Sequence, residues 1–258
     1  MQVENGGNGD LTFDFSGRTV CVTGASRGIG REVALAFARD GAALVLTARN
    51  AEALAPVANE IRTLGGTVTC LSVDQRSVEE IRNQIAPLGR IDVLVNNAGV
   101  EEVRESLEID EALWDKIVDT NLKGAFFVAQ AVAAKMAGMD GGSIINLASL
   151  TSFVGVPGAV PYGASKSGIL GMTRALAAEW APKGIRVNAI APGYFETDMT
   201  SVFFENKEWV AQMIGSIPVG RLGQLSDLTD AVKFLASSGA KYVCGHCVVI
   251  DGGYLSKV

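Results

Sequence analysis

Histidine is nearly absent from this 258-residue chain: His246 is the only one. A Ser-His-acid triad needs its histidine beside a nucleophile, and His246 sits late in the chain beside an apolar, strand-like run, which excludes that chemistry. Cysteine is scarce, at four residues, and a chain of this length buries enough interior to fold without disulfide staples. Charged residues make up only 19% and sum to −6. That balance argues against nucleic acid or an anionic membrane surface as the main partner, since both reward positive charge. Long apolar runs are missing too; the best are cut by Gly, Asn or charge within about 10 residues, too short for a membrane span. The opening stretch, 1–14, begins polar and Gly/Asn-rich without the basic-then-apolar order of a signal peptide, and reads as a mobile tail. A cytoplasmic protein is expected.

What the chain does have is 48% hydrophobic residues and 30 glycines without a fixed period. Short, mostly β-branched apolar runs lie at 19–23, 43–47, 67–73, 91–96, 143–148, 186–190 and 247–250. Runs that are apolar at nearly every position suit strands buried on both faces of a parallel sheet. Between them lie helical stretches at 29–39, 51–64, 78–86, 111–136 and 161–181, several followed by a glycine stop such as Gly41, Gly65 or Gly184. The alternation predicts an α/β fold over 15–258: one Rossmann-type, doubly wound parallel sheet of about seven strands flanked by helices. The stretch 194–217 breaks the rhythm. It carries Tyr194, Phe195, Phe203, Phe204 and Trp209 after the carboxyl end of a strand, where open α/β sheets bind ligands, and reads as a substrate lid.

Between the first strand and first helix stands Thr23-Gly24-Ala25-Ser26-Arg27-Gly28-Ile29-Gly30. Glycines there let backbone approach a phosphate, and a helix N-terminus offers it free N–H groups. The second strand ends in Ala48-Arg49, without the acid that bonds a ribose 2′-hydroxyl and repels a 2′-phosphate. Arg27 and Arg49 together suit that phosphate, so NADP(H) is the expected cofactor. Further along, Tyr162 and Lys166 are four apart at the start of a helix and share a face. A cation beside a phenol favours the phenolate and draws its pKa toward the working range. The tetrapeptide Cys244-Gly245-His246-Cys247 also occurs in thiol–disulfide exchange enzymes, but here it leads into a strand and not a helix N-terminus. With Cys21 and Cys70 inside other strands, no zinc set is apparent either.

The G-x-x-x-G-x-G loop, Asn96-Asn97-Ala98-Gly99, and Tyr162-x-x-x-Lys166 occur in that order, and the chain resembles the short-chain dehydrogenase/reductase family from about Phe15 to Tyr254. The resemblance implies that Tyr162 exchanges a proton with the substrate oxygen. It implies that Lys166 lowers the tyrosine pKa and bonds the nicotinamide ribose, and that Ser149, thirteen positions before Tyr162, holds the carbonyl oxygen, with Ser152 a weaker candidate. Asn121 would hold a water for the proton relay. Gly24, Ser26, Arg27, Gly28, Ile29, Gly30, Arg49, Asp74, Asn97, Ala98 and Gly99 would line the adenosine and pyrophosphate side. Asp74 would take the adenine amine, and Pro192, Gly193 and Thr197 the nicotinamide side. The resemblance also implies a homotetramer or homodimer through helices 111–136 and 161–181.

Within the family, 191–199 is similar to gluconate 5-dehydrogenase-like members, and the overall pattern resembles 3-oxoacyl-carrier-protein reductases. An acidic carrier needs basic residues at the site mouth; Lys183 supplies one, but Asp140 stands where another is expected. A small-molecule carbonyl or alcohol is therefore the expected substrate, with NADPH-dependent reduction of a ketone the leading activity. A non-catalytic NADP(H)-binding protein is the alternative from another class, and the intact Asn121, Ser149, Tyr162 and Lys166 set argues against it.

Overall fold

The computed structural model describes residues 12–196 and 206–257. Its strands β1 (Thr19–Thr23), β2 (Ala43–Ala48), β3 (Val68–Ser72), β4 (Val93–Asn96), β5 (Gly142–Leu147), β6 (Ile185–Pro192) and β7 (Cys247–Ile250) form one sheet. All pairings are parallel, in the order β3-β2-β1-β4-β5-β6-β7. This is the doubly wound sheet expected from the sequence. Strand order reverses between β1 and β4, which opens a crevice at their carboxyl ends.

The helices in chain order are α1 (Gly28–Arg39), α2 (Ala55–Thr63), α3 (Val78–Ile85), α4 (Glu111–Val118), α5 (Ala125–Met136), α6 (Val160–Trp180), α7 (Lys207–Ser216) and α8 (Leu225–Ala236). Successive side chains of a strand point to opposite faces, so Val20 and Val22 join one core and Cys21 the other. The first core takes Phe37 of α1, Ile61 of α2 and Val232 of α8. The second takes Ile81 of α3, Val132 of α5 and Leu176 of α6. Covering both faces is why β1, β4 and β5 are buried at nearly every position. Some helix starts are capped by side chains: Ser77 Oγ accepts the Glu80 N–H at 3.2 Å, and Asp110 Oδ1 accepts the Leu113 N–H at 2.8 Å.

Two expected helices are corrected. The stretch 111–136 is not one α-helix: α4 and α5 are joined by a π-helical turn, Asp119–Gly124. One wide turn does not disturb the apolar spacing of its flanks, so periodicity could not reveal it. The stretch 51–64 divides into a 3-10 turn, Ala51–Leu54, and α2. Of the segment read as tail, Thr12–Asp14 are described, and Phe13 packs against the first core with Lys233 Nζ 4.8 Å from its ring centre. Among the described residues, no helix is long and apolar enough to cross a membrane.

Candidate active site

The first wall of the crevice is the glycine loop. Gly24 and Gly28 have φ of +64° and +55°, which L side chains rarely adopt. A Cβ on Gly24 would lie 2.8 Å from Ala98 Cα, and one on Gly30 would strike Gly24 O and Asn97 Nδ2. The loop is laced to the end of β4. Thr23 Oγ1 accepts the N–H groups of Asn97 (3.0 Å) and Ala98 (2.9 Å), while Asn97 Nδ2 donates to Thr23 O (2.9 Å) and Gly24 O (3.2 Å). Arg27, the residue before α1, makes no side-chain cap to the helix. The first-turn N–H groups are thus left to a ligand, as an anion site requires.

This loop borders a cavity of about 220 Å³ that Ser26, Arg27, Ile29, Arg49, Asp74 and Gly99 help to line. Ala48 lines it too, confirming that no carboxylate stands at the end of β2. Asp74 reaches the cavity already gripped by Arg76, whose Nη2 and Nε lie 2.7 and 3.1 Å from its oxygens. The Arg76 hydrogen bond is the main reason the Asp74 carboxyl is held below the usual range. Arg76 was not singled out from the sequence; its place just past the carboxyl end of β3 was the available signal. A cradle that a Cβ would fill, with uncapped N–H groups and guanidiniums at its rim, fits a dinucleotide phosphate.

Ile29, Asn97 and Gly99 also line a second cavity of about 620 Å³, which makes the two one crevice. Ser149, Tyr162, Lys166, Pro192 and Gly193 are on its wall. Thr197, Phe203 and Phe204, expected at the nicotinamide side and in the lid, lie outside the described residues. Tyr194 and Trp209 are described and pack edge to face at 5.8 Å, with Tyr254 against Tyr194 at 5.3 Å.

Ser149 follows β5, and its Oγ accepts the Thr151 N–H at 3.2 Å. Ser152 is instead spent on the turn, its Oγ accepting the Ser149 N–H at 3.4 Å, and it does not line the cavity. Tyr162 and Lys166 do share a face of α6, with Lys166 Nζ 5.6 Å from the phenol ring centre. The expected depression of the phenol pKa is corrected. Burial pushes it well above its ordinary value, the Glu101 carboxylate adds to that, and the Ser149 hydrogen bond pulls back. Lys166 is itself pushed down to about 8 by burial, with Glu101 opposing; its Nζ donates to Leu147 O at 2.6 Å.

Asn121 is placed by contacts within the protein. Its side chain holds the chain after β4: Oδ1 accepts the Val100 N–H at 2.8 Å, and Nδ2 donates to Val100 O at 2.9 Å and Ser165 Oγ at 3.2 Å. It is a positioning residue that clamps the chain after β4 to α6. Glu101, directly after that clamped residue, and Tyr254, after β7, were missed; both follow carboxyl ends of strands, where ligands bind. In the Cys-Gly-His-Cys stretch, Cys247 begins β7, and burial pushes its thiol up to about 11. That is the reverse of an activated thiolate.

The family profile described as "Enoyl-(Acyl carrier protein) reductase" matches residues 24–255. The chain is 39% identical over 250 residues to the 2-dehydro-3-deoxy-D-gluconate 5-dehydrogenase of Escherichia coli K12, spanning 95% of this chain and 98% of that one. A crystal structure from Sinorhizobium meliloti 1021, described as a short-chain alcohol dehydrogenase, is 54% identical with a TM-score of 0.92, covering 96% of this chain and all of that one. A gluconate 5-dehydrogenase from Burkholderia cenocepacia J2315, solved with NADP and tartrate, is 36% identical with a TM-score of 0.92, over 96% and 98% of the two chains. The match spans nearly the whole chain, and the chain belongs to the short-chain dehydrogenase/reductase family.

Proposed function

We propose that the chain is an NADP(H)-dependent oxidoreductase that reduces a ketone, or oxidises the corresponding secondary alcohol, as a homodimer or homotetramer. One observation carries the reading: Ser149, Tyr162 and Lys166 stand together on the wall of a large cavity continuous with the dinucleotide cradle. Arg27 and Arg49 border the cradle where a 2′-phosphate would lie, with no acid at Ala48 to repel it. The complex of the Burkholderia relative with NADP supports the same cofactor here.

NADPH, when bound, supplies the hydride. The Ser149 hydroxyl and Tyr162 phenol hold the substrate oxygen and oppose the charge that develops on it. Tyr162, whose burial keeps it protonated, gives up its proton to that oxygen. Lys166 donates to the carbonyl end of β5, which fixes its ammonium within the same crevice. Pro192 and Gly193 border the nicotinamide side. Asn121 holds the Val100 backbone, and through it the floor on which these groups meet. Val154, Val156 and the aromatic trio give the cavity an apolar wall suited to a ketone with an apolar part.

Reduction of an acyl group on a carrier protein is the second reading, favoured by the family profile's description. Asp140 and Lys183, expected at the site mouth, precede β5 and β6 at the amino ends of the strands, away from the crevice, so they do not bear on carrier docking; the net charge of −6 still disfavours an acidic carrier. NADPH oxidation against aryl and aliphatic ketones, β-ketoacyl thioesters and keto-sugar acids separates the readings. Turnover confined to carrier-borne thioesters would overturn the ketone assignment, and no turnover with any class would overturn the oxidoreductase.

A further inference from the structure

Glu101 is a half-buried carboxylate inside the substrate end of the crevice, beside Ser149, Tyr162 and Lys166. Its neighbour Glu102 turns elsewhere and pairs with Lys116 Nζ at 2.8 Å and with Arg104. Glu101 makes no hydrogen bond or ion pair with any described residue, although its charge is felt at both Tyr162 and Lys166. Among the described residues, the only cation lining the cavity is Lys166, and its ammonium is committed to Leu147 O. Residues 197–205, Thr-Asp-Met-Thr-Ser-Val-Phe-Phe-Glu, contain no Lys or Arg, so they bring no counter-charge either. Asn97, Ser149 and Thr151 add neutral polar groups to the wall, and most of the remainder is apolar or aromatic, including Tyr194, Trp209 and Tyr254.

A substrate that fills this cavity strips water from the Glu101 carboxylate. That desolvation is costly unless the substrate returns a donor to it. A second negative charge would add repulsion in a water-poor space. We infer that Glu101 is a specificity-determining residue for ketones carrying a hydroxyl or ammonium donor beside the carbonyl, and that it disfavours ketones carrying a carboxylate there. The aromatic trio accommodates the apolar remainder of such a substrate, and its ring faces tolerate a nearby cation. This inference rests on the ketone-reductase reading of the same cavity.

The test is binding to the complex of the protein with NADP, which cannot reduce a ketone and so reads recognition apart from turnover. Calorimetry would compare α-hydroxyacetophenone, phenacylamine, acetophenone and benzoylformate, which share a phenyl ketone and differ in the group beside it. The wild type should bind the hydroxy- and amino-ketones at least tenfold more tightly than benzoylformate. Glu101→Gln should shrink the amino-ketone to benzoylformate ratio at least tenfold, mostly through tighter binding of the anion. Equal affinity of the wild type for donor-bearing and carboxylated ketones would overturn the inference, as would an unchanged ratio in Glu101→Gln or no binding of any of the four. Should the variant fold poorly by circular dichroism, the wild-type ratio decides alone. NADPH oxidation with the same four compounds keeps the two readings apart: ratios preserved without turnover strike the reductase and leave the selectivity of the pocket standing.

Discussion

The Tyr162 phenol is half-buried on the cavity wall, lies near a carboxylate, and has its pKa pushed upward, so in the free enzyme it is a proton donor in waiting and not a phenolate. Tyr162→Phe should therefore keep NADPH binding, measured by fluorescence titration, while turnover falls by about 10²–10⁴-fold, the usual worth of a general acid. Comparable rates in the variant would remove Tyr162 from the chemistry. The neighbouring charges predict a pH effect with a definite sign. Reduction needs the phenol protonated and the Lys166 ammonium charged, and Lys166 loses its proton at about 8. Glu101 raises both groups, so Glu101→Gln should move the alkaline limb of kcat/KM for reduction to lower pH. A limb that stays or moves upward contradicts this. At the dinucleotide end, Arg27→Ala with Arg49→Ala should cut the preference for NADPH over NADH by about 10- to 100-fold per arginine, from charge-assisted bonds of about 1.5–3 kcal/mol each. Tyr162, Lys166 and the two arginines were legible because their chemistry depends on residue type and short spacing. Glu101 was not, because its role comes from a cavity assembled by distant strands, helices and loops. The direction of the phenol shift was not legible for the same reason: its largest cause is burial, which sequence spacing does not show.

At the scale of elements, the sheet was readable because strands covered on both faces are apolar at most positions, and the loop after β1 was readable because only glycine tolerates its backbone. Gly24→Ala puts a Cβ 2.8 Å from Ala98 Cα at a φ of +64°, so it should lower both NADPH affinity and the melting temperature. The π-helical turn Asp119–Gly124 lies at the other extreme. A helix of uniform period and one with a single widened turn leave nearly the same apolar pattern, yet only the latter is what this chain adopts. The turn places the buried Asn121 across from Val100 and Ser165, and π-turns of this kind recur at functional sites. Asn121→Ala would strand the Val100 N–H and C=O in the interior. We expect a loss of about 1–3 kcal/mol in unfolding free energy by denaturant titration, together with a fall in kcat as the floor beneath Glu101 loosens. A variant as stable as the wild type would show that water replaces the clamp.

For the whole molecule, the question is what covers the end of the sheet. β7 is an edge strand whose four residues are all half-buried, in contrast to the buried interior strands, and an apolar open edge invites pairing. Close in sequence stand Phe234 of α8, 39% exposed, and Tyr242, fully exposed. Isolated exposed apolar residues need no explanation, but two aromatics in the segments leading to an open edge suggest a face made for a second copy. Helices α5 and α6 were expected to supply another such face, and Phe126 and Phe127 of α5 are only partly buried in the second core. Two different self-complementary faces would build a dimer of dimers, and one would stop at a dimer. Light scattering should accordingly give the mass of two or four chains. Tyr242→Glu places a charge on a side chain that contributes no burial within its own chain, so the fold should be untouched while the edge-strand contact is weakened. The expected result is a step down in mass with an unchanged circular dichroism spectrum. If the mass does not change, the copies meet through α5 and α6 and the β7 edge stands open to solvent; if the wild type is already a monomer, neither face is an interface.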